Sequence, residues 1–164
     1  FFFAMLFLRL LVLLLLQVLA MGRLASDEQL DLLPDYSDPE VARRLKCSAC
    51  KVITKEIWHR LIKLHKRFKQ PKEYYVIEAL ENTCTQIRND FGLLMRNNKP
   101  TQEFSSNKKI SRMTGNWINS YIETHCGNIF SEYEEEIVED FHEWIAMGER
   151  EAQGLMCLDK YARC

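Results

Sequence analysis

The sequence predicts an all-α domain of four to five helices in a single bundle, stapled by three disulfides. Three observations lead there. Apolar residues recur with a 3.6-residue period through most of the chain after residue 38. No segment alternates convincingly with the period of two expected of a half-buried strand. Six cysteines lie in a chain of 164 residues, an even set of the kind that forms a disulfide framework in a secreted protein.

The N-terminal segment sets the compartment. Residues 1–22 carry one charge, Arg9, and one other polar side chain, Gln17. Leu10–Leu16 is an unbroken aliphatic run, followed by small residues at Ala20, Gly22, Ala25 and Ser26. A positive flank, a short apolar core and a small-residue exit are the marks of a secretory signal peptide. It is expected over residues 1–25, with cleavage between Gly22 and Ser26, and an uncleaved membrane anchor is the rival. The chain opens on Phe1 rather than Met, so its start is expected to lie upstream. All six cysteines follow this segment, where a disulfide is chemically stable.

Residues 26–38 are acidic and contain Pro34, and are expected to be a flexible lead-in to a domain over 39–164. Asp38-Pro39-Glu40 then reads as a helix start: a capping carboxylate, proline at the first helical position and an acid in the first turn. The stripe Val41, Leu45, Ala49, Val52, Ile53, Ile57, Leu61, Leu64 and Phe68 continues until Pro71 stops it. A second helix is expected from Glu73, with Tyr74, Ile77, Leu80, Cys84, Ile87 and Phe91 on one face and Gly92 as its C-cap. Residues 97–109 are polar, contain Pro100 and lack periodicity, which predicts an exposed loop. A third, long helix is expected from 111–117 onward, with Ile118, Ile122, His125, Ile129, Tyr133, Ile137, Phe141 and Trp144 inward. Gly148 and Gly154 punctuate a last short helix over 149–158.

The composition is 47% hydrophobic and 27% charged with a formal net charge of -1, which excludes a collagen-like chain, a polytopic membrane protein and a basic nucleic-acid binder. Charge is segregated instead. Between Arg43 and Lys72 there are eleven Lys or Arg and one acid, Glu56. Glu132, Glu134, Glu135, Glu136, Glu139, Asp140 and Glu143 form an acidic run without a single Lys or Arg. Two solvated faces attracting weakly across the bundle is one reading. A partner-docking face formed by Glu132, Glu134, Glu135, Glu136, Glu139 and Asp140 is the other.

The cysteines run Cys47, Cys50, Cys84, Cys126, Cys157 and Cys164, with two close couples at the ends. Cys47-x-x-Cys50 admits a thiol oxidoreductase reading, helped by the neighbouring cations Arg43, Arg44, Lys46 and Lys51. Against it, the helix begins about eight residues earlier and no strand precedes it. A zinc site from the terminal couples would need thiolates in an oxidising compartment, and no metal or other cofactor is expected. His59, His65 and His142 are expected at the surface and His125 packed, none beside a nucleophile.

The segments Leu45-Lys46-Cys47-Ser48-Ala49-Cys50-Lys51, Leu80-Glu81-Asn82-Thr83-Cys84 and Cys126-Gly127-Asn128-Ile129-Phe130-Ser131-Glu132-Tyr133-Glu134-Glu135-Glu136-Ile137, completed by Met156-Cys157 and Cys164, resemble the canopy family of saposin B-type proteins, in particular its plasma-cell-induced endoplasmic-reticulum branch. The resemblance spans 45–164. The long interval between Cys84 and Cys126 suits the canopy type better than a compact saposin. A chain end at Tyr161-Ala162-Arg163-Cys164, rather than a K-D-E-L-type tetrapeptide, departs from that family.

Fifteen pairings of six cysteines exist. The helical proximity of Cys47 and Cys50 and the family's nested order together lead to Cys47–Cys164, Cys50–Cys157 and Cys84–Cys126. The resemblance further implies a saposin-like bundle and a non-enzymatic folding cofactor in the lumen of the endoplasmic reticulum, binding secretory client proteins or a lumenal chaperone. The alternatives are a secreted protein, a saposin-like lipid binder, and an oxidoreductase using Cys47 and Cys50.

Overall fold

The computed structural model describes residues 32–164, so the expected signal peptide over 1–25 and the first part of the lead-in lie outside the described residues. Pro34–Cys164 forms one compact unit. Its spine is α1, Pro39–Arg67. By the rise of a helix, these residues span about 43 Å. The Asp38 carboxylate accepts from the amides of Glu40 at 2.8 Å and Val41 at 3.4 Å, and Pro39 occupies the first turn, where its missing N–H costs nothing. Leu45, Ala49, Cys50, Ile53, Ile57 and Leu61 are wholly buried along one stripe. Most other elements pack on that stripe.

The second expected helix is two. Helix α2 spans Glu73–Leu80 and α3 spans Thr83–Asp90. Between them Asn82 adopts a left-handed conformation, φ 59°, which an Asn tolerates better than most residues. The Arg60 guanidinium, on α1, donates to the carbonyls of Ala79 at 3.3 Å and Glu81 at 3.4 Å, satisfying groups that the helix end leaves open. Tyr74 and Ile77, expected on the inward face, are exposed, and Val76 takes the buried position instead. The buried set Val76, Leu80, Thr83 and Ile87 keeps helical spacing through the break, so periodicity alone could not reveal it.

The all-α expectation is corrected by a small antiparallel sheet, β1 (Gly92–Arg96), β2 (Lys99–Ser105) and β3 (Arg112–Met113), in the order β2-β1-β3. Much of the segment 97–109 is therefore not an exposed loop. Asn97 and Asn98, at φ 52° and 60°, form the tight turn of a hairpin, a conformation that favours Asn and Gly. Leu93 pairs with Phe104, Met95 with Pro100 and Arg96 with Lys99, with a bulge between Leu93 and Met95. Pro100 is tolerated because β2 is an edge strand. Leu93 and Phe104 are buried, and the Phe104 amide donates to Ser48 Oγ on α1 at 2.8 Å. Gly92, expected as a helix cap, opens β1 instead. A Cβ there would stand 2.6 Å from the Met113 carbonyl oxygen and 2.9 Å from Thr114 Cγ2, so β3 can close on β1 only over a glycine.

The long third helix starts after β3, as α4 (Asn116–Glu139), and is interrupted at Asp140 before α5 (Phe141–Ala146). Phe141 and Trp144 stay on the inward side across the interruption, and Trp144 is wholly buried. The C-terminal segment is α6 (Glu149–Gly154) running into a π-helical turn, Leu155–Lys160. Gly154 is helical rather than a terminator. The wide turn buries Met156 and Cys157 together, and the left-handed Arg163, φ 50°, returns the chain to α1. Of the expected flexible lead-in, Pro34–Asp38 belongs to the folded unit. Its Tyr36 ring lies 5.5 Å from that of Trp117.

Candidate functional site

Helix α1 presents Cys47 and Cys50 one turn apart, toward the C-terminal segment. The structure joins Cys47 to Cys164, Cys50 to Cys157 and Cys84 to Cys126, the nested order reached above, with Cα separations of 5.6, 5.7 and 5.5 Å. The first two bridges fasten the chain end to α1 and the third fastens α3 to α4. Cys50 and Cys157 are fully buried with Thr54, whose Oγ1 lies 3.6 Å from Cys157 Sγ. Each sulfur of the Cys47-x-x-Cys50 pair is thus bonded to a residue more than a hundred positions away rather than to the other. Among the described residues no cluster of His, Cys, Asp and Glu has the makings of a metal site.

The acidic run is divided by the fold. Glu132, Glu134, Glu135 and Glu139 on α4 are exposed and, among the described residues, form no ion pair. Glu136 is half-buried and paired with Lys160, whose ammonium also lies 5.8 Å from the Tyr133 ring. Asp140 is half-buried at the helix break. Ile129 and Ile137 on the opposite side of α4 are wholly buried, so the four glutamates project from a helix anchored from below. The attraction expected between the acidic run and α1 is not made by direct pairing. Arg43 and Arg44 bond to Glu40 of their own helix at 2.8 and 2.9 Å, while Lys55 and His59 reach Glu149 at 3.1 and 3.3 Å. The two guanidiniums hold the Glu40 carboxyl down at about 2.

A third feature was only partly legible. Trp117, Tyr121 and His125 sit at i, i+4 and i+8 of α4, and Phe104, Tyr161 and Tyr36 join them from β2, the C-terminus and the lead-in. Helical spacing identifies the first three; tertiary packing supplies the rest. His125 Nδ1 shares a hydrogen bond with the Tyr161 hydroxyl, and Lys46 lies 4.5 Å above the Tyr161 ring. Burial, and then the Lys46 charge, push the His125 pKa down to about 4. His59 and His142 are exposed as expected, whereas His65 is half-buried against Phe141 with its Nδ1 enclosed and unpartnered.

The His125 pKa sets a direction for stability against pH. Between its ordinary value and about 4, the unfolded chain binds a proton that the folded chain refuses. Stability contributed by neutral His125 is therefore complete above about pH 6.5 and lost as pH falls toward 4. The urea midpoint is expected to fall from pH 7 to pH 5, and less so in His125→Gln. An equal fall in both proteins would assign the effect elsewhere.

The fold and its cross-links define a disulfide-stapled, mainly helical domain carrying a small antiparallel sheet, of a kind suited to an oxidising compartment, secretory or extracellular. No helix among the described residues is long and apolar enough to cross a membrane. No protein-family model, no curated protein and no solved structure matches the chain.

Proposed function

We propose that the chain is a non-enzymatic folding cofactor of the endoplasmic-reticulum lumen, built on a saposin-like bundle of the canopy type. In this reading it binds secretory client proteins or a lumenal chaperone. The observation that carries the reading is the exposed set Glu132, Glu134, Glu135 and Glu139, without ion pairs among the described residues, on a helix tied down by Cys84–Cys126. Such a surface offers a partner charge without first breaking internal ion pairs, and charge of this kind sets association rate and partner choice. Engagement of Cys47 and Cys50 in separate bridges supports a binding role over thiol exchange. A lipid binder would instead present apolar surface, and the apolar stripe of α1 is consumed in the core.

The test is Glu134→Lys, Glu135→Lys and Glu139→Lys together. Capture of lumenal proteins by the tagged chain is expected to fall about ten-fold or more at low salt and less at high salt, with the thermal midpoint unchanged. Undiminished capture by the variant would overturn the assignment of this face. Tight binding of the native chain to protein-free anionic vesicles would favour the lipid reading.

A further inference from the structure

The C-terminal third of α1 and the connection to α2 hold a second charged surface, independent of the acidic face. Lys63, Lys66, Arg67, Lys69 and Lys72 are all exposed, and among the described residues none forms an ion pair. Lys63, Lys66 and Arg67 are spaced i, i+3 and i+4, which puts them on one side of the helix away from buried Leu61 and Leu64. Lys63 and Arg67 also line a recess of about 400 Å³ between α1, α2 and α3, together with His59, Arg60 and Gln86. The only acid lining that recess, Glu56, is paired with Arg60 at 3.2 Å.

The strip ends on aromatic rings. The Arg67 guanidinium lies 5.0 Å from the Phe68 ring, Phe68 stacks on Tyr75 at 4.8 Å, and Tyr75 lies 4.0 Å from Tyr74. Tyr74 is 53% exposed. A row of unneutralised cations, a recess for a compact anionic group and a terminal ring stack suit a polyanion that also has apolar C–H faces. Extended basic runs bind such polymers by releasing condensed counterions. The disulfides suit an oxidising compartment, secretory or extracellular, where nucleic acid is not the ambient polyanion, and the site would serve chains that have left the endoplasmic reticulum. The apolar share of the patch, chiefly Tyr74 and Ile77, is small for membrane insertion.

We propose that Lys63, Lys66, Arg67, Lys69 and Lys72, ending in the Phe68–Tyr75–Tyr74 stack, form a binding site for a sulfated polysaccharide of the heparin class. Sulfate groups lie along the cations, one enters the recess between Lys63 and Arg67, and a sugar ring covers Tyr74.

The experiment uses the full chain with its disulfides intact, on immobilised heparin with a sodium chloride gradient and by titration in solution. The native chain is expected to be retained, and Lys63→Glu, Arg67→Glu and Lys69→Glu together should weaken binding about ten-fold or more with a shallower salt dependence. Tyr74→Ala should weaken it several-fold with the salt dependence unchanged. Lys99→Glu, Lys108→Glu and Lys109→Glu, the same change of net charge on the hairpin and the turn after it, should bind as the native chain does. Circular dichroism checks that each variant keeps its helices. Equal loss in the two triple variants would reduce the effect to net charge and overturn the site. Absence of retention, or binding of desulfated heparin, polyglutamate or anionic phospholipid vesicles as tight as that of heparin, would overturn the ligand class.

Discussion

Removing the Cys50–Cys157 bridge with the double substitution Cys50→Ala and Cys157→Ala is expected to lower stability by about 3–5 kcal/mol. The bridge closes a loop of 107 residues, and loop-closure entropy grows with the logarithm of length. Both cysteines are fully buried, so the alanines also leave unfilled volume beneath α1. Since small domains are stable by only about 5–15 kcal/mol, the variant should lose much of its margin at physiological temperature. Urea unfolding followed by circular dichroism measures this. A midpoint within experimental error of the native one would mean that the C-terminal turn docks on α1 without its cross-link.

Trp144→Ala is the second large effect expected, about 3–5 kcal/mol and a fall of roughly 10–20 °C in Tm. Trp144 has no exposed surface and lies on α5, which packs directly on α1. The short helix has only six residues, too few to persist unless its buried side chains hold it. Trp144→Phe, which keeps much of the apolar volume, should recover more than half of the loss. A truncation to alanine that costs less than about 1 kcal/mol would show that α5 is not part of the cooperative core.

The parts of this molecule that could be read from the chain are those governed by neighbours in sequence. The Asp38-Pro39-Glu40 start of α1, its buried stripe from Leu45 to Leu64 and the inward face of α4 follow from capping and a 3.6-residue repeat, both local. The pairing of Cys47 and Cys50 with Cys164 and Cys157 was within reach only in part, for a related reason. Helix geometry brings the first two to one face, and the order of their partners is what the resemblance to the canopy family implies. The acidic run on α4 was legible as a run, because charge is visible residue by residue.

Folding in three dimensions settled the rest. The β1–β2 hairpin was hidden because its strands are short and bulged, because β2 is mostly polar, and because Phe104 gains its burial from α1 and from its partner Leu93 on β1. A strand has no internal hydrogen bonds, so its evidence resides in a partner that the local pattern does not name. The breaks at Asn82 and Asp140 likewise leave the helical spacing of the buried residues undisturbed and are decided by contacts such as those of Arg60 with the α2 carbonyls. Which charges remain free is a tertiary matter as well. Glu136 is taken by Lys160 and Glu149 by Lys55, while Glu134 and Lys63 are left to solvent, because an ion pair depends on distance in space and not on distance along the chain.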